Sequence, residues 1–87
     1  MNLPVNSDYW SYRGGELYCE DVALSRIAER FGTPTYVYSR GHLEGKFKEV
    51  ERAWRGRRHL VCFSLKSNSS LAVAVVLARL GAGVDVV

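Results

Sequence analysis

Residues 59–87 hold two short apolar runs separated by a lysine, a cluster of small polar residues and a longer apolar run, an order that admits few folds. His59-Leu60-Val61-Cys62-Phe63-Ser64-Leu65 is short and rich in apolar and aromatic residues, which predicts a strand buried on both faces, as in a parallel sheet. After Lys66, the side chains of Asn68, Ser69 and Ser70 can accept from the free amides of a starting helix, and Leu71 to Leu80 supplies that helix. Gly81 is placed to stop it, and Gly83-Val84-Asp85-Val86-Val87 resumes an apolar strand. Residues 60–87 therefore read as one strand, helix, strand unit.

Lys66 stands at the carboxyl end of the first of these strands, the rim on which α/β proteins gather their ligands. Two readings are open from the pattern alone. A desolvated lysine releases a free amine that forms a Schiff base with an aldehyde. A lysine in a turn is otherwise an ordinary solvated side chain.

At 87 residues, with 47% hydrophobic and 24% charged residues, the chain has the content of one small globular domain or a piece of a larger one. The net charge of +3 raises the question of nucleic acid, and Arg52, Arg55, Arg57 and Arg58 supply much of it. Cations at a helix end complement its dipole, and no RNA- or DNA-binding pattern accompanies them, so no nucleic-acid partner is expected. Cys19 and Cys62 form no C-x-x-C pair, and the N-terminus has no cationic leader with an apolar core. The expectation is a cytoplasmic protein with free thiols. The longest apolar run, Leu71 to Ala78, is too short for a membrane span, and no metal-ligand spacing is present.

Earlier in the chain, Met1 to Tyr12 reads as an irregular lead-in, with Arg13-Gly14-Gly15 as a turn and Glu16-Leu17-Tyr18-Cys19 as an edge strand. Asp21 is the expected N-cap of a helix whose apolar face is Leu24, Ile27, Ala28 and Phe31, closed by Gly32 and Pro34. Thr35-Tyr36-Val37-Tyr38 alternates as a brief strand. Ser39 can cap a helix over roughly 40–55 with the stripe Leu43, Phe47, Val50 and Trp54. The helix 70–80 is apolar around nearly its whole circumference and needs cover on several sides. Such a demand fits the opening of a longer (β/α)₈ barrel, which takes about 250 residues. The expected organisation is a lead-in over residues 1–34, with a short strand and helix, and the first part of the barrel over 35–87.

Three ordered blocks carry a resemblance. They are Gly32-Thr33-Pro34-Thr35-Tyr36-Val37-Tyr38-Ser39, then Phe63-Ser64-Leu65-Lys66-Ser67-Asn68-Ser69-Ser70-Leu71, then Leu80-Gly81-Ala82-Gly83-Val84-Asp85-Val86-Val87. With the lead-in, they make nearly the whole chain similar to the N-terminal part of the diaminopimelate decarboxylase family. That family belongs to the fold-type III, alanine-racemase-like pyridoxal phosphate enzymes, with ornithine and arginine decarboxylases as relatives. The resemblance implies an α/β fold, the start of a pyridoxal phosphate-binding TIM barrel of alanine-racemase-like type, incomplete in this chain. It implies a carboxy-lyase acting on a small amino acid, meso-2,6-diaminopimelate, in lysine biosynthesis. The implied cofactor is pyridoxal 5'-phosphate, and the implied assembly of the full-length family is a homodimer.

The family lysine falls on Lys66, which the resemblance makes the catalytic, cofactor-holding residue. Asp85, nineteen positions on, matches an aspartate that lies near the bound cofactor in the ornithine relatives and is implied to bind it. The family strand usually reads Tyr-Ala-Val-Lys-Ala-Asn-Ser-Asn, so Phe63, Ser64, Leu65, Ser67 and Ser70 depart from it. Ser64 shares a strand face with Lys66 by period two and stands to alter the cofactor's surroundings. The family's phosphate site, pyridine partner, substrate contacts and C-terminal domain would lie beyond residue 87, so the segment alone is expected to be inactive. A non-catalytic remnant and an ornithine- or arginine-type relative are the competing readings.

Overall fold

The computed structural model describes residues 7–86, and its contacts divide the chain into two compact units, residues 1–41 and 42–87. The N-terminal part of the expected lead-in, Met1 to Asn6, lies outside the described residues.

The first unit is a small antiparallel sheet of β1 (Trp10–Arg13), β2 (Glu16–Cys19) and β3 (Val22–Ala23), followed by α1 (Leu24–Phe31). β1 and β2 pair from Trp10↔Cys19 to Arg13↔Glu16, leaving Gly14 and Gly15 as a two-residue hairpin loop. Both glycines have positive φ, +59° and +83°, the conformation that a tight hairpin twisting with its strands requires. The expected turn is present, but the expected irregular stretch to Tyr12 is not: from Trp10 onward it is β1. Backbone pairing with β2 orders a segment whose own alternation is too short to announce a strand.

A second two-residue loop, Glu20-Asp21, joins β2 to β3. It displaces the expected helix start. Val22 and Ala23 pair with β2, so α1 begins at Leu24 with Ala23 as N-cap and no side-chain cap. Asp21 instead takes the Arg13 guanidinium at 3.2 Å. α1 ends as expected at Gly32, whose φ is +82°. Thr35 to Tyr38 forms no strand, because extended backbone becomes a strand only with a ladder partner and none is present among the described residues.

The second unit holds most of α2 (Arg40–Ala53), then β4 (Cys62–Ser64), α3 (Leu71–Arg79) and β5 (Gly83–Asp85). β4 and β5 pair in parallel, with Cys62 opposite Gly83, Phe63 opposite Val84 and Ser64 opposite Asp85. Phe47 of α2 and Val73 and Leu77 of α3 form the buried core, against which Leu43, Val61, Phe63, Leu80 and Ala82 pack. α3 ends in a Schellman motif: Ala82 N–H donates to Leu77 O, Gly81 N–H donates to Ala78 O, and Gly81 takes φ +99°.

Three expectations for this unit are corrected. β4 is three residues long and not buried on both faces, since Cys62 is exposed and Phe63 and Ser64 are half-buried. Among the described residues of this unit, the helical core packs on the strand face that carries Val61 and Phe63. Val50 and Trp54, expected to face inward with Phe47, are about half exposed. Leu71 of α3 is likewise exposed, and only Val73 and Leu77 of that helix are buried.

Candidate functional site

Alternation along β4 separates two environments. Val61 and Phe63 pack against the Phe47, Val73 and Leu77 core, so Cys62 and Ser64 stand on the opposite face. Partners in a parallel register share a face, which puts Asp85 beside Ser64 there and Gly83 beside Cys62. Space at Gly83 is tight: a Cβ would stand 3.0 Å from the Cys62 sulfur and 3.3 Å from Leu60 Cδ2, and those side chains would have to give by a few tenths of an ångström.

The pairing is extended by one bond past the strands, from Leu65 N–H to Asp85 O at 3.2 Å. Lys66 follows at once, so both candidate residues lie at the carboxyl edge of the same two-stranded sheet. The chain turns sharply here. Ser67 N–H returns to Ser64 O and Asn68 N–H to Leu65 O, both at 3.2 Å, and the Ser67 hydroxyl donates to Ser64 O at 2.7 Å. Lys66 is thus held in the middle of two overlapping turns, with its neighbours tied back to the end of β4. Sequence reasoning treated Ser67 only as a departure from an alanine. Its signal is the hydroxyl three residues after the carbonyl it clasps.

The side chain of Lys66 is exposed and, among the described residues, makes no hydrogen bond or ion pair. The shelter expected around it is not supplied by these residues. Asp85 is also exposed. Side-chain capping of α3 by Asn68, Ser69 and Ser70 is not found either: Ser70 is the N-cap and makes no side-chain cap bond. Asn68 Oδ1 accepts from Ser70 N–H at 2.9 Å, a local turn that leads into the helix without capping it.

The arginine cluster folds as a helix end. His59 bridges it, with Nε2 3.1 Å from the Glu51 carboxylate and Nδ1 2.8 Å from Arg57 O. The Arg57 carbonyl and then Glu51 favour a proton on both ring nitrogens and hold the imidazole above its ordinary range. Among the described residues no three His, Cys, Asp or Glu side chains are placed to hold a metal, and no helix is long and apolar enough to cross a membrane.

Known proteins resemble the chain in sequence and in backbone. The chain is 62% identical over 80 residues to the diaminopimelate decarboxylase of Pseudomonas fluorescens, covering 92% of this chain and 19% of that protein. The chain corresponds to the N-terminal fifth of the diaminopimelate decarboxylases. The Haemophilus influenzae diaminopimelate decarboxylase is 42% identical over 80 residues, again 92% of this chain and 19% of the relative. The solved diaminopimelate decarboxylase from M. jannaschi superposes with a TM-score of 0.85 at 30% identity, over 92% of this chain and 20% of that one. An Aquifex aeolicus crystal structure gives a TM-score of 0.84 at 38% identity, covering 93% of this chain and 20% of that one. No protein-family model matches the chain. Its α/β fold is that of the N-terminal part of diaminopimelate decarboxylases.

Proposed function

We propose that the chain is the N-terminal part of a pyridoxal phosphate-dependent decarboxylase that converts meso-2,6-diaminopimelate to L-lysine and carbon dioxide, with Lys66 holding the cofactor and Asp85 beside it. The observation that carries the reading is an uncommitted amine at the carboxyl edge of β4, one strand away from a carboxylate, in a chain that is 62% identical to a diaminopimelate decarboxylase where they overlap.

The residues fit an aldehyde cofactor. Bonding to an aldehyde needs a nitrogen that is not tied up in an ion pair, and Lys66 has none among the described residues. A positive charge at that nitrogen needs a counter-ion, and Asp85 is the carboxylate on the neighbouring strand. The turn that carries Lys66 is clasped at Ser64 O by Ser67, which fixes where the stem of the lysine starts. When bound, pyridoxal phosphate supplies an electron sink for the charge left by decarboxylation. Lys66 would anchor it, and Asp85 would keep the anchoring nitrogen protonated. Residues 35–87 then form the first part of the barrel and residues 1–34 its lead-in. The complete protein would act as a cytoplasmic homodimer.

Lys66→Ala in the full-length protein tests the assignment. The visible band of lysine-bound pyridoxal phosphate should vanish, and turnover with it. Compared without cofactor, so that ligand stabilisation does not enter, variant and parent should differ in unfolding free energy by no more than about 0.5 kcal/mol. Ordinary turnover by that variant without added amine would overturn the role.

A further inference from the structure

Ser64 and Asp85 are register partners on neighbouring parallel strands and share the face that the helical core leaves open. Neither side chain has a hydrogen-bond partner among the described residues, although the Ser64 carbonyl receives Ser67 twice. Neighbouring strands lie about 4.7–4.9 Å apart, a spacing that a serine hydroxyl and an aspartate carboxylate can bridge through their rotamers. Ser64 is half-buried while Asp85 is exposed, so the hydroxyl is the better fixed of the two.

We propose that Ser64 is a positioning residue for Asp85: its hydroxyl donates across the strand pair to the carboxylate and holds that carboxylate over the edge on which Lys66 stands. The proposal rests on the reading of Lys66 and Asp85 given above. Without the hydroxyl the carboxylate turns freely into water and spends less time beside the lysine nitrogen. Among the described residues of this unit, the other ionisable side chain on this face of the strands is the Cys62 thiol. Arg79 and the charged residues of α2 belong to helices that pack on the other face.

The test is a pH titration of the lysine-bound pyridoxal phosphate band in the full-length protein, with borohydride fixation on Lys66 as the control. Asp85→Asn should lower the midpoint by about 1–3 pH units, the usual effect of losing an adjacent opposite charge. Ser64→Ala should lower it by a fraction of that, roughly half a pH unit, and Ser64→Thr, which keeps the hydroxyl, should restore it. In an Asp85→Asn background Ser64→Ala should have no further effect, since its action passes through the carboxylate. A midpoint unmoved by Ser64→Ala, or a shift that persists without Asp85, overturns the proposal while leaving Lys66 in its role. Fixation on another lysine would bring down both readings.

Discussion

Glu20 shows how single residues fix the first unit. Its φ of +53° lies in the left-handed region, which costs an ordinary side chain about 1–2 kcal/mol. Its contacts hold it there: its N–H donates to Tyr9 O, its carbonyl receives the Arg13 guanidinium, and its carboxylate receives the Ser39 hydroxyl at 2.8 Å, Gly41 N–H at 3.2 Å and the Arg40 backbone N–H. Ser39 is the one buried polar residue among those described, and Ser39→Ala should destabilise the full-length protein by about 1 kcal/mol in chemical denaturation. The Ser39 hydroxyl, and then Gly41 N–H, hold the Glu20 carboxyl below its ordinary pKa of 4.5. A lowered folded pKa means stability that is present above pH 4.5 and is lost as pH falls through the folded value. Glu20→Gln should therefore melt below the parent at neutral pH, with the gap closing in acid. Because the carboxylate is exposed, water screens it and the gap will be small. None of this was legible in sequence, where Ser39 reads as a helix cap. The partners of Ser39 and Glu20 lie nineteen residues apart and are joined only by the fold.

At the scale of elements, apolar periodicity located the helices well and their buried faces less well. Leu43, Phe47, Val50 and Trp54 mark one helical stripe, yet only Leu43 and Phe47 meet the α3 core. In denaturant titrations of the full-length protein Phe47→Ala should cost about 3 kcal/mol, the lower end for a buried aromatic, and more than Val50→Ala. Equal losses in denaturant titrations would show that the stripe packs as a unit. The C-terminus of α3 was legible because a glycine at positive φ has a distinct chemistry. The N-terminus of α1 was not. Sheet pairing by Val22 and Ala23 competes with helix there, and a local capping signal at Asp21 carries no information about β2. The parallel pairing of β4 with β5 follows from an apolar helix between two apolar strands, and it brings Lys66 and Asp85 to one edge.

For the molecule as a whole, the buried apolar residues among those described are Cys19, Ala23, Phe47, Val73 and Leu77, and no large side chain is fully enclosed. Small chains bury a small share of their surface, and the chain spans about a fifth of the length of the curated relatives it matches. The isolated 87-residue segment should bind a hydrophobic dye and unfold without a sharp transition, and it should not decarboxylate. A cooperative melt without dye binding would show that it folds independently. Local signals placed Lys66 after one strand and Asp85 on the next, whereas the roles given to them came from the resemblance alone. On the proposed reading, a cofactor at Lys66 would be enclosed by surfaces outside the described residues. The most direct measurement is borohydride reduction of the full-length protein loaded with pyridoxal phosphate, followed by peptide mapping. The account predicts the reduced cofactor on Lys66. Finding it on Lys46 or Lys48, with Lys66 unmodified, would contradict it.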